Sequence, residues 1–131
     1  MRKILIVEDD FFIRDIYTKV FTQAGYAVVV AVDGEDALNQ ITSNPRPFDM
    51  ILLDIMMPKM NGLDVLKKIR AMAEPIKSTA VFILTNLGQD TIIQEAFSIG
   101  MDGYIIKSQA TPQQLVEEIN TYFVTKQASP Q

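Results

Sequence analysis

The sequence predicts a doubly wound α/β domain, a five-stranded parallel sheet with five helices on both faces. Two observations predict it. Short β-branched runs of strand length alternate with longer segments whose apolar residues recur at helical spacing. The strand runs are apolar throughout rather than alternating, the pattern of strands covered on both faces by helices. At 131 residues the chain is one domain by size. Its 48% hydrophobic and 21% charged residues are globular proportions, enough to bury a core without staples.

The elements follow in order. Ile4–Val7 is the first strand. Phe12–Ala24 is a helix with Ile13, Ile16, Tyr17, Val20 and Phe21 inward, stopped by Gly25. Tyr26–Val32 is the second strand, and Asp33-Gly34 turns into a short helix carrying Ala37, Leu38 and Ile41 inward. The prolines of Asn44–Pro47 prevent that helix from continuing. Phe48–Leu53 is the third strand. Gly62–Ala73 is the third helix, with Leu63, Leu66, Ile69 and Met72/Ala73 on one face, and Glu74-Pro75 breaks it. Ala80–Leu84, Gln89–Ile99 and Gly103–Ile106 are the fourth strand, fourth helix and fifth strand. Thr111 is a good N-cap and Pro112 suits the first position of the last helix, whose buried stripe is Leu115, Val116, Ile119, Tyr122 and Phe123. Residues 1–124 are read as the domain, and 125–131 as a polar tail or linker remnant.

Parallel strands joined by right-handed crossovers place a site beyond their C-terminal ends. The polar residues there are Glu8, Asp9 and Asp10 after the first strand, Asp54 after the third, Thr85 after the fourth and Lys107 after the fifth.

Composition limits the chemistry. The chain has no cysteine and no histidine, so it has no disulfide framework, no thiolate metal site, and neither the usual zinc ligand nor the usual general base. Any metal must be held by oxygen, which points to Mg²⁺, Mn²⁺ or Ca²⁺. A net charge of −4 with no basic run disfavours direct nucleic-acid binding. No apolar run approaches membrane-spanning length, and the N-terminus lacks the apolar core of a signal peptide. The expectation is a soluble cytoplasmic protein with no membrane partner.

The strand-end residues have complementary roles. Glu8, Asp9 and Asp54 supply oxygen ligands for Mg²⁺, with Mn²⁺ an alternative, and Lys107 helps to balance the three carboxylates. Asp54 can act as a nucleophile toward phosphorus and form an acyl phosphate. Mg²⁺, Lys107 and the Thr85 hydroxyl would neutralise the phosphoryl oxygens. Singly, each residue has a plainer explanation. Asp10 suits a helix cap, Asp54 a turn before Pro58, Thr85 a strand end and Lys107 a solvated surface. Their joint placement on one sheet edge favours the site. Met56, Met57 and Met60 suit gap filling, and no cofactor role attaches to them.

Four stretches, Ile4–Asp10, Leu53–Gly62, Phe82–Thr85 and Gly103–Lys107, resemble in order and spacing the receiver domain of the two-component response regulator family. The resemblance covers about residues 2 to 124. It implies the flavodoxin-like strand order 2-1-3-4-5. It implies that Asp54 is the phosphoacceptor, loaded by a sensor histidine kinase or a phosphotransfer protein. Glu8 and Asp9 then match the Mg²⁺-binding acids, with the Met56 carbonyl as a further ligand. Thr85 and Tyr104 match a switch pair: Thr85 is drawn toward the phosphoryl group and Tyr104 turns into the vacated space. The surface of helix 4, strand 5 and helix 5 then changes its partner preference. Such a domain catalyses only its own phosphorylation and dephosphorylation. Its output is a downstream protein or a domain missing from this sequence, and in this family the same surface often forms homodimers.

Asn86 stands where the family usually has a small residue, and Ser108 where it usually has proline, often after a cis peptide. Access to Asp54 and the shape of the last loop are therefore open. Met56 and Leu87, two residues after Asp54 and Thr85, offer no polar side chain to orient a hydrolytic water, so a long-lived phosphoryl group is expected. Three other readings compete. A pseudo-receiver, a binding module acting without phosphorylation, is favoured by Asn86 and Ser108 and opposed by the intact Glu8, Asp9, Asp54, Thr85 and Lys107. A Mg²⁺-dependent phosphatase would want a carboxylate at Met56. A flavin-binding domain would not place acids where phosphate must sit.

Overall fold

Five strands pair in parallel in the order β2-β1-β3-β4-β5: β1 (Lys3–Val7), β2 (Ala27–Ala31), β3 (Met50–Asp54), β4 (Ala80–Thr85) and β5 (Gly103–Ile106). The computed structural model describes residues 1–44, 47–86 and 90–128. Five helices, α1 (Phe11–Gln23), α2 (Gly34–Ser43), α3 (Gly62–Arg70), α4 (Asp90–Ile99) and α5 (Pro112–Ala128), cover both faces.

Alternate residues of β1, β3 and β4 enter opposite cores. Leu5, Val7, Ile51, Leu53, Val81 and Ile83 pack with α2, α3 and α4. Ile4, Ile6, Met50, Leu52, Phe82 and Leu84 pack with α1 and α5. This double burial explains the unbroken apolar runs.

Register levels one edge of the sheet. Val7 is opposite Ala31 and Leu53, Asp54 is opposite Leu84, and Thr85 is opposite Ile106. The residues that end or follow β1, β3, β4 and β5 therefore share one rim.

The helix starts are capped by side chains accepting backbone N–H groups: Asp10 from Ile13, Asp33 from Asp36 and Asn61 from Asp64. Thr111 and Gln114 form a reciprocal capping box at α5. Gly25, just past the Ala24 cap of α1, has φ +98°, the left-handed conformation that closes a helix and favours glycine.

Several expectations need correction. Ile16 is not inward; it is 46% exposed. The inward series is Ile13, Tyr17, Val20 and Phe21, a strict i, i+4, i+7, i+8 stripe, and Ile16 stands with exposed Phe12 on the outer face. α3 stops at Arg70 rather than Ala73 and also buries Val65. β3 starts later than expected, at Met50, and keeps Asp54 in the ladder. α5 continues to Ala128, past Thr125. The expected start of the fourth helix, Gln89, lies outside the described residues. None of the helices, among the described residues, is long and apolar enough to cross a membrane.

Candidate functional site

The rim holds a polar pocket of about 470 Å³ lined by Glu8, Asp9, Asp10, Asp54, Lys107 and, at its sides, Ile13, Met56, Asn86 and Ser108. β1 delivers Glu8 at its end, anchored by the Glu8 N–H to the Ala31 carbonyl at 3.1 Å. β3 delivers Asp54 and β5 delivers Lys107. Glu8 is 1% and Asp54 3% exposed, whereas Asp9 is exposed. One carboxylate oxygen from each of the three lies within 4.8 Å of the others.

Lys107 holds this cluster together. Its Nζ donates to Glu8 Oε1 at 2.8 Å and stands 3.1 Å from Asp54 Oδ2. Backbone donors complete the cradle: the Asp10 N–H reaches Glu8 Oε2 at 3.1 Å and the Met56 N–H reaches Asp54 Oδ1 at 3.2 Å. Burial pushes the Glu8 carboxyl up from 4.5 to about 7; the Lys107 hydrogen bond opposes this and the Asp54 charge adds to it. Burial alone would lower the Lys107 ammonium, but the hydrogen bond to Glu8 and the charge of Asp54 outweigh it and hold it above its ordinary value.

Gly62 shapes the floor. A Cβ there would lie 2.6 Å from the Asp54 carbonyl oxygen and 2.9 Å from Ile55 Cα, so only glycine lets α3 begin against the end of β3. The Gly62 N–H also donates to the Ile55 carbonyl at 3.0 Å.

Thr85 is fully buried at the end of β4, with its hydroxyl 3.3 Å from the Asn86 carbonyl. Tyr104 does not join the pocket. It is 40% exposed, its ring edge-on to Phe97 of α4 at 6.2 Å between centroids. The Met56 side chain is 55% exposed at the pocket mouth. The Lys107–Ser108 peptide is trans; Glu74–Pro75 is the one cis bond among the described residues. Lys107–Gln109 instead forms a turn of 3-10 helix. Leu87 lies outside the described residues.

Sequence reasoning missed Arg14, whose guanidinium donates to the Glu8 carbonyl at 2.8 Å and the Asp9 carbonyl at 3.3 Å. Its position one turn into α1, four residues after the Asp10 cap, was the available signal.

Three convergent carboxylates with no nitrogen or sulfur donor suit a hard divalent cation. A parallel sheet in this order, with an acidic cluster and a half-buried lysine on its C-terminal rim, is the architecture of a receiver-type α/β domain. The response regulator receiver domain family matches residues 4–120, and the chain belongs to it. The chain is 33% identical over 106 residues to the chemotaxis protein CheY of Treponema pallidum, covering 80% of this chain and 72% of that protein. It is 39% identical over 98 residues to sporulation initiation phosphotransferase F of Bacillus subtilis, with 75% of each covered. The match to the transcriptional regulatory protein CpxR of Escherichia coli, 36% over 107 residues, takes in 82% of this chain but only 43% of that protein. Among solved structures, Vibrio cholerae CheY4 superposes with a TM-score of 0.83 at 31% identity, covering 92% of this chain and 98% of that one. In this family a phosphorylation-dependent switch is the general function, and histidine kinases, phosphotransfer proteins and output domains are its partners.

Proposed function

We propose that this domain is a signalling switch operated by phosphorylation of Asp54. The observation that carries the proposal is the placement of the Asp54 carboxylate, buried at a pocket floor between the Lys107 ammonium and the Met56 N–H. A carboxylate oxygen of Asp54 attacks the phosphorus of a phosphohistidine on a kinase or phosphotransfer protein. The new P–O bond forms as the P–N bond breaks, and the imidazole nitrogen keeps the electron pair and takes up a proton.

Lys107 serves the phosphoryl oxygens as a fixed positive charge, and the Thr85 hydroxyl at the end of β4, which donates to the Asn86 carbonyl, would turn to them as a second donor. Glu8, Asp9 and Asp54, with the Met56 carbonyl, are the residues to hold Mg²⁺, or Mn²⁺ in its place; the bound cation supplies neutralisation of phosphoryl charge.

Phosphorylation adds about −1.5 to −2 charges. That charge shifts the population only through contacts that differ between two conformers. Thr85 drawn to the phosphoryl group and Tyr104 leaving its exposed place beside Phe97 would provide them, and would remodel the α4–β5–α5 surface read by a downstream protein or output domain. The working unit in this reading is the domain read as residues 1–124, extended by the continuation of α5 to Ala128, in the cytoplasm, and its chemistry acts on itself alone.

Intact mass after incubation with acetyl phosphate and Mg²⁺ tests the proposal. Wild type should gain one phosphoryl group and Asp54→Asn none. An equal gain in both would move the acceptor elsewhere. No gain in wild type, with acetyl phosphate or a kinase, would leave a binding module working without phosphate.

A further inference from the structure

The turn between β1 and α1 spans only Glu8, Asp9 and Asp10, yet it must aim two carboxylates at Asp54. The Asp10 carbonyl enters the α1 ladder by accepting the Arg14 N–H at 2.9 Å, so the carbonyls of Glu8 and Asp9 lie upstream of that ladder. Arg14 takes both with one guanidinium nitrogen, at 2.8 and 3.3 Å. The guanidinium carbon also stands 5.6 Å from the centroid of the Phe11 ring.

The choice of acceptor matters. Among the described residues Arg14 makes no ion pair with a carboxylate, although it sits beside two acids. An arginine bound to the carboxylates would compete with a cation for the same oxygens. Bound to their carbonyls, it fixes the peptide planes without itself occupying a carboxylate oxygen.

We infer that Arg14 is the positioning residue of the cation site, holding the acid turn so that Glu8 and Asp9 converge on Asp54. The inference rests on the cation reading of that site in the proposed function. Outer partners that orient ligand-bearing groups are typically worth 10- to 100-fold in metal affinity, and one hydrogen-bonded turn puts Arg14 at the low end, about tenfold.

The sign of the effect separates positioning from simple electrostatics. Removing a positive charge beside a cation site should tighten cation binding by charge alone. Loss of positioning should weaken it. A purely structural role would lower Tm equally with and without cation and leave affinity unchanged.

The test is calorimetric titration of Mg²⁺ into wild type, Arg14→Ala and Arg14→Lys, with Tm measured in Mg²⁺ and in chelator. Arg14→Ala should raise the Mg²⁺ Kd about tenfold and shrink the Mg²⁺-induced rise in Tm. Arg14→Lys, which keeps the charge but has a shorter reach and no planar group to lie against Phe11, should fall between. If the alanine variant does not fold, the lysine variant carries the test, since weaker binding at unchanged charge supports positioning. Variants that bind Mg²⁺ as tightly as a binding-competent wild type, or more tightly, would overturn this inference alone. A wild type that binds no Mg²⁺ would overturn it together with the cation reading.

Discussion

Lys107 Nζ stands 3.1 Å from Asp54 Oδ2, although their strands are separated in the sheet by β4. The same nitrogen reaches Glu8 at 2.8 Å on the far side. One ammonium therefore spans the C-terminal ends of β1, β3 and β5 and offsets two buried carboxylates at once.

Replacing Lys107 removes that compensation. Lys107→Met leaves Glu8 and Asp54 buried with no cation between them, and should cost about 3 kcal/mol in metal-free protein. The loss should be smaller in saturating Mg²⁺, which supplies positive charge to the same oxygens. Urea melts in chelator and in Mg²⁺ measure the difference; equal losses in both would contradict the shared-charge account.

The raised Glu8 carboxyl links the site to pH. The folded protein holds the Glu8 proton to about 7, against 4.5 for the ordinary group. Its contribution to metal-free stability is therefore fully present below 4.5 and is lost as pH rises toward 7. Mg²⁺ must displace that proton. About a tenth of Glu8 is ionised at pH 6 and about nine tenths at pH 8, so Mg²⁺ affinity should be about tenfold weaker at pH 6. Titrations at the two pH values should show it, and a flat profile would place the relevant ionisation elsewhere.

Met56 governs the pocket mouth with an apolar side chain. A hydrolytic water approaching phosphorylated Asp54 meets no hydrogen-bonding group from that side chain. Met56→Asn supplies an amide that orients water without taking its proton, so it should shorten the acyl phosphate lifetime by about tenfold, less than a true general base would give. Decay of the phosphorylated mass after removal of acetyl phosphate gives the rate, and an unchanged lifetime would remove Met56 from the explanation.

Arg70 ties the far end of the molecule. Its guanidinium donates to the carbonyls of Gly100, Lys77 and Thr79 and to the Asp102 carboxylate, at 2.7 to 3.0 Å. Arg70→Met fills similar space but removes these bonds, leaving Asp102 only its bond from the Val81 N–H, at a cost of about 2 kcal/mol or more. Hydrogen exchange should rise first at the C-terminal end of α4, where Gly100 loses both of its Arg70 bonds. Uniform acceleration across the sheet would show that the bonds stabilise the whole fold instead.

The Gly62 floor makes the last prediction. Gly62→Ala forces a Cβ against the Asp54 carbonyl and should destabilise by about 1 to 3 kcal/mol. Because the clash lies on the acceptor's own backbone, phosphorylation by acetyl phosphate should slow even at temperatures where the variant stays folded. Wild-type rates in the folded variant would show that the strain relaxes into α3 instead.

The fold class and the rim are legible in the order of the residues. Period-2 burial on both faces makes strand runs uniformly apolar, and period-3.6 stripes mark the helices, so alternation alone implies a parallel sheet and a site at its C-terminal edge. Glu8, Asp9, Asp54 and Lys107 stood out because a polar residue ending an apolar run is locally visible. Features set by distant neighbours emerge only in the folded packing. Ile16 fits a helical stripe as well as Val20 does, and only the packing of α1 against the sheet and α5 turns it outward. Tyr104 lies beside Phe97, and Arg14 and Arg70 act on backbone carbonyls, which carry no signature in the sequence. Side-chain chemistry is written residue by residue; the acceptors it meets are set by how the chain folds back on itself.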